Sequence, residues 1–135
     1  MILARYDPGA HIWVPLVSSV DTLNDWVAAR TDHLSLFQIM QSAPSSTVKT
    51  ARAFPNPWRL SQGPPAMTFS LLPANARLRI YTLSGLLVKD LSADSSGMAS
   101  WDGTNQSGRP AASGAYFVFA QGGGQETTLK LVIQR

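Results

Sequence analysis

Hydrophobic and polar positions alternate along this chain in short runs cut by turn residues, with no sustained helical spacing. In the second half, residues 67–72 (MTFSLL) set Met67, Phe69 and Leu71 on one face. Residues 77–83 (RLRIYTL) turn Leu78 and Ile80 inward and leave Arg77 and Arg79 on a solvated face. Residues 85–91 (GLLVKDL) follow a Ser84-Gly85 turn, 98–101 form a short strand, and 115–120 (AYFVFA) are an apolar run rich in aromatics. Residues 127–133 set Leu129, Leu131 and Ile133 against Thr128, Lys130 and Val132. Turn chemistry separates these runs: Pro64-Pro65, Pro73-Ala74-Asn75, Asp102-Gly103, Ser107-Gly108, Ser113-Gly114 and Gly122-Gly123-Gly124. Six or seven short strands at this spacing predict an all-β, antiparallel β-sandwich of the immunoglobulin or fibronectin type.

The first 40 residues repeat the theme on a smaller scale. Residues 2–6, 11–16, 26–30 and 35–40 are strand-like, joined through Asp7-Pro8-Gly9 and Leu23-Asn24-Asp25. Residues 20–29 also fit one or two turns of an amphipathic helix. Residues 41–50 (QSAPSSTVKT) are small and polar and read as a linker. The expected organisation is a small β subdomain at 1–40, a linker at 41–50 and the sandwich at 51–135. Four short strands in so short a piece bury little. The subdomain is therefore expected to dock on the sandwich, pair with another chain, or be the remnant of a larger sandwich.

Composition narrows the function classes. Only 14% of the 135 residues are charged, against roughly 25% in soluble domains; with abundant Ser, Thr, Gly and Pro, this argues against a helical bundle or coiled coil. The absence of Cys removes disulfide scaffolds, thiol chemistry and zinc-thiolate sites and leaves the compartment open. No apolar run approaches the roughly 20 residues of a membrane helix, so membrane insertion is not expected. The net charge of +3 is uneven, with three basic and four acidic residues in 1–50 and eight and four in 51–135. The basic residues stand singly, without a cluster or interleaved stacking aromatics, so nucleic acid is not an expected partner. Residues 1–8 lack a basic stretch followed by an apolar core, hence no signal peptide is read there, and the chain is expected to be the tail of something longer.

Candidate chemistry is sparse. His11 and His33 stand in no metal-ligand spacing. The segment Asp102-Gly103-Thr104-Asn105-Gln106-Ser107-Gly108 lacks the alternating acidic ligands and terminal Glu of a calcium loop. Residues 122–124 read as a hairpin turn, not a phosphate cradle, and there is no Ser-His-Asp arrangement. No cofactor and no metal are expected. Pro55 and Pro57 fix φ and withhold N–H donors at a strand edge; Gly103 and Gly108 suit tight turns; Trp101 and Tyr116 are core or corner aromatics whose polar tips can reach backbone.

An ordered series through residues 51–135 resembles the immunoglobulin-like module shared by type A sorting domains of type IX secretion and the FlgD-like flagellar hook-capping proteins. It comprises Phe54-Pro55-Asn56-Pro57, Met67-Thr68-Phe69-Ser70-Leu71, Leu78 through Gly85, Trp101-Asp102-Gly103-Thr104-Asn105, Gly108, Ser113-Gly114-Ala115-Tyr116-Phe117 and the closing Lys130-Leu131-Val132-Ile133. The resemblance implies a non-catalytic C-terminal module of a secreted or cell-surface bacterial protein, exported as part of something larger. It would be recognised by secretion or surface-anchoring machinery, or by other protein chains. Sorting domains sit at the extreme C-terminus of exported cargo, which the end at Arg135 fits; the hook-cap branch would need an assembly region that residues 1–50 do not resemble. A plain structural spacer between surface domains is a further alternative.

A second motif, Thr31-Asp32-His33-Leu34-Ser35-Leu36-Phe37, resembles the His-Leu-Ser/Thr self-cleavage site of adhesion-receptor autoproteolysis domains and the His-Phe-Ser site of related sandwich domains. That resemblance implies His33 acting as general base on Ser35, whose hydroxyl would attack the Leu34 carbonyl and cut between Leu34 and Ser35. With 34 residues before the bond, the family's longer strain-imposing fold is not all present. A structural version of the subdomain, with Ser35 starting an ordinary strand, is the alternative.

Overall fold

Strands form where the alternation is strongest, and in a few places where it is hidden. A computed structural model describes residues 1–9, 11–31, 34–61 and 65–135. The chain divides into two units, Met1–Ala43 and Pro44–Arg135. Among the described residues every regular element is a strand except one turn of 3-10 helix, the expected all-β class.

The first unit holds β1 (Ile2–Asp7), β2 (Ile12–Pro15), β3 (Ser18–Asp21), β4 (Trp26–Ala29) and β5 (Phe37–Met40). β1 lies between antiparallel β2 and β5, and β3 pairs with β4 as a separate hairpin. The helical alternative at 20–29 is thereby overturned. Asp21 closes the β3–β4 turn, its carboxylate accepting from the backbone of Leu23 and Asn24 and from the Asn24 side-chain amide, which holds its pKa below the usual carboxylate range. A side chain that caps a turn in this way favours hairpin over helix.

The second unit opens with a 3-10 turn at Val48–Thr50, followed by β6 (Arg52–Phe54), β7 (Trp58–Arg59), β8 (Met67–Ser70), β9 (Arg77–Thr82), β10 (Leu87–Ser92), β11 (Ala99–Trp101), β12 (Gly114–Gly122) and β13 (Gln125–Gln134). Five strands make one sheet in the order β10-β9-β12-β13-β7, and three make the other, β11-β8-β6. All pairings are antiparallel except β7 beside β13. Between the sheets lies one core that includes Trp58, Met67, Phe69, Leu78, Ile80, Trp101, Val118, Leu131 and Ile133, each at most 1% exposed. The 122–124 turn is a two-residue hairpin: Gly122 pairs with Gln125, and Gly123 and Gly124 take φ of 59° and 72°, the double positive φ that a type I′ turn requires.

Two details depart from the alternation. Leu71 does not join Met67 and Phe69 inside; it is 51% exposed, and the next residue, Leu72, is buried. The cause is local: β8 ends at Ser70, Leu71 adopts a φ of 58°, and the chain turns so that the Leu72 N–H reaches the Gly97 carbonyl. The polar stretch expected as a linker is also partly structure. From Pro44 onward it belongs to the second unit, with Val48 fully buried and the Ser45 N–H bonded to the Leu72 carbonyl.

Candidate functional site

The residues singled out in 51–135 fall into three local devices. The first is at the edge of β13. Asn56 stands between Pro55 and Pro57, both following cis peptide bonds. Its side-chain amide donates to the Lys130 carbonyl at 2.8 Å, and its carbonyl oxygen accepts from the Val132 N–H at 3.0 Å. One side chain thus stands in for a neighbouring strand until β7 takes over at Ile133. Covering an edge like this withholds it from another chain. Prolines on either side leave no competing N–H.

The second device is an aromatic cluster. Trp101 packs edge-on between Trp58 and Tyr116, with ring centroids 6.1 and 5.9 Å away. Its indole N–H donates to the Thr104 carbonyl at 2.8 Å, and the Tyr116 hydroxyl donates to the Ala112 carbonyl at 2.6 Å. Gly103 faces this cluster with φ of 75°, and a Cβ there would sit 3.1 Å from the Trp58 ring. The position thus needs glycine twice over.

The third is the loop 102–110. Asp102 accepts from the Thr104 N–H and hydroxyl, and Asn105 Oδ1 from the N–H groups of Ser107 and Arg109. The Thr104 hydroxyl bond is the main cause holding the Asp102 carboxyl below its usual range. The Lys89 ammonium reaches into this loop, bonding the Thr104 hydroxyl at 3.2 Å and the Asn105 carbonyl at 3.3 Å. Gly85 (in the β9–β10 turn), Gly108 (in this loop) and Gly114 (opening β12) complete the set, with Lys130 on the outer face of β13. These side chains tie strands and turns together.

In the first unit His33 lies outside the described residues. Leu34 is 96% exposed, and the Ser35 hydroxyl donates to the Tyr6 carbonyl at 3.0 Å. β5 begins at Phe37, two residues after Ser35.

The comparisons with known proteins bear on the fold. No protein-family model matches the chain, and no curated protein matches it. Among solved structures it resembles PorZ of Porphyromonas gingivalis, described as an essential bacterial surface component of the type IX secretion system. The likeness has a TM-score of 0.58 at 22% identity, over 67% of this chain and 12% of PorZ. A second likeness, to latent dimeric PorU of the same organism, has a TM-score of 0.44 at 25% identity over 62% of this chain and 9% of PorU. The chain therefore spans a small fraction of either protein.

One surface feature escaped the motif reading. On the outer face of the five-stranded sheet, direct cross-strand partners form rows: Leu87–Tyr81–Phe117–Lys130, then Asp90–Arg79–Phe119–Thr128, then Ser92–Arg77–Gln121–Glu126. The first row is apolar with a cation at one end, the last is polar throughout. Phe117 is 39% exposed, and Leu83, Leu86 and Leu87 at the adjoining turn are more so. The sequence signal was available: residues 115–120 are apolar on both faces, as a strand covered on both sides would be.

Proposed function

We propose that this chain is a non-catalytic module of a secreted or cell-surface bacterial protein, acting within type IX secretion as a sorting or anchoring signal or as an assembly domain. The observation that carries this reading is the fold likeness to a surface component of that system over two thirds of the chain. The ordered series from Phe54 to Ile133 that resembles the sorting and FlgD-like modules supports it independently. Most of the signature residues belong to an edge clamp, an aromatic cluster and a loop, which leaves exposed sheet faces for recognition. A partner reading such a module meets a rigid surface, which keeps the ordering cost of binding low.

The test is export. The full chain is fused to the C-terminus of a periplasmic reporter and expressed in a host with a type IX apparatus and in its secretion-null mutant. Reporter on the surface of the first alone is the expected result. Reporter held in the periplasm of both refutes a sorting role and leaves a structural spacer or an assembly domain.

A further inference from the structure

We infer that the outer face of the β10-β9-β12-β13 sheet docks an extended polypeptide segment in which apolar side chains are flanked by carboxylates. The inference rests on the interaction role proposed above and names the surface and the chemistry of the partner.

Three observations point to it. First, an open groove of about 470 Å³ lies on this face, lined by Arg79, Tyr81, Leu83, Phe117, Phe119 and Thr128 among others. Its apolar floor is contiguous, because Tyr81 and Phe117 are direct cross-strand partners, and the exposed Leu87, opposite Tyr81, extends the apolar row beyond it. Isolated exposed hydrophobics are ordinary, whereas contiguous ones mark interaction surfaces. Second, the groove carries surplus positive charge. Among the described residues no carboxylate lines it. On the surrounding face Asp90 is paired with Arg77, whose Nε lies 3.1 and 3.2 Å from its two oxygens, and Glu126 accepts from the Gln121 side-chain amide, so Arg77, Arg79 and Lys130 outnumber these two carboxylates by one. Arg79 instead lies 5.5 Å from the centre of the Phe119 ring and donates to the Gln121 amide oxygen at 2.9 Å; its Nε–H is buried with no acceptor. Lys130 stands at the far end of the apolar row, beside Phe117. Third, the surface is open and shallow, suited to a chain laid across it. A segment crossing the first row meets three apolar positions and then a cation, and neighbouring strands are about 4.8 Å apart. A run of apolar side chains with a carboxylate at its end matches that order, and a basic segment is repelled by it.

The probe is a short synthetic peptide with a run of Leu and Phe flanked at both ends by Glu, titrated into the isotope-labelled full chain and followed by NMR. A peptide with Lys in place of Glu is the control. The expected result is chemical-shift change concentrated at Tyr81, Phe117, Phe119 and Arg79 with the acidic peptide alone. Lys130→Glu, a surface change with little bearing on folding, is expected to weaken binding about twofold to fivefold, as loss of a partly exposed charge contact does. Phe117→Ser should remove it, provided the variant's melting curve shows it folded.

Equal binding of the basic peptide, shifts centred elsewhere, or no effect of Lys130→Glu overturns the inference. Concentration-dependent shifts at the same residues without peptide would assign the face to a second copy of the chain. A response to anionic phosphatidylglycerol vesicles and not to the peptide would assign it to a lipid surface. Either outcome also refutes the docking proposed here. Because the titration uses no secretion machinery, failed export with normal peptide binding removes the sorting role alone. Normal export with no peptide binding removes this surface alone.

Discussion

Replacing Trp101 by Ala tests the packing of the second unit at its most connected point. The ring is fully buried, sits between Trp58 and Tyr116, and holds the Thr104 carbonyl through its indole N–H. Truncating a buried Trp costs about 3–5 kcal/mol. Two edge-to-face pairs, each worth about 0.5–1.5 kcal/mol, and a carbonyl left without its donor put this site in the upper part of that range. A unit of this size has roughly 5–14 kcal/mol in all, so the variant should lose a third or more of its stability. Trp101→Phe keeps a ring between the two neighbours and gives up the hydrogen bond and some volume, for a loss of about 1–2 kcal/mol. Urea unfolding followed at the methyl signals of Ile80, Val118 and Leu131 reports on this unit alone, since all three lie in its core. A loss below about 1.5 kcal/mol for Trp101→Ala, or equal losses for the Ala and Phe variants, would refute the account of the aromatic cluster.

Three further outcomes are expected. Asn56→Ala removes both bonds to the β13 edge, so amide exchange at Val132 should accelerate and stability fall by about 1–2 kcal/mol; unchanged exchange at Val132 would mean the clamp is not formed in solution. Asp90 and Asp102 both have carboxyls held below the ordinary range, chiefly by the Arg77 and Thr104 hydrogen bonds respectively. Their contribution is therefore complete above about pH 4 and lost as pH falls through the lower folded values; melting curves between pH 2 and 5 should flatten in an Asp90→Asn, Asp102→Asn double variant, and an undiminished slope would refute it. Deleting residues 129–135 removes Leu131 and Ile133 from the core and the partner of β7 and much of β12, so circular dichroism should show the second unit unfolded.

The strands of the second unit were legible because each has one face in the core. Leu78 and Ile80 on β9, and Leu131 and Ile133 on β13, alternate as a half-buried strand must. What escaped was structure made by residues with no such period. Residues 41–50 read as a polar linker, yet Val48 among them is fully buried; just beyond, Trp58 is fully buried too, and the short β6 and β7 were not read as strands. Two or three paired residues leave no alternation to find. The parallel pairing of β7 with β13 continues the stretch of edge that Asn56 holds, through a tertiary contact 74 residues apart in sequence. Leu71 shows the complementary failure: the pattern predicted its face correctly up to Ser70, and one residue with positive φ then shifted the phase by one.

The candidate surface was half visible for a related reason. Arg77 and Arg79 marked the outer face of β9 as solvated, and that assignment leads one to expect polar neighbours across the strands. Only the third row obeys. Phe117 and Phe119 sit opposite Tyr81 and Arg79 on the same face, while Val118 and Ala120 between them are fully buried on the other. A strand apolar on both sides, in a sheet with the core on one side, carries side chains that folding this unit does not explain. Burying a Phe ring from half-exposed to covered is worth on the order of 1–2 kcal/mol. That gain is realised only when something lies against β12. The surplus charge of Arg79 and Lys130 beside those rings limits what that something can be, and a carboxylate-bearing segment satisfies both the rings and the cations at once.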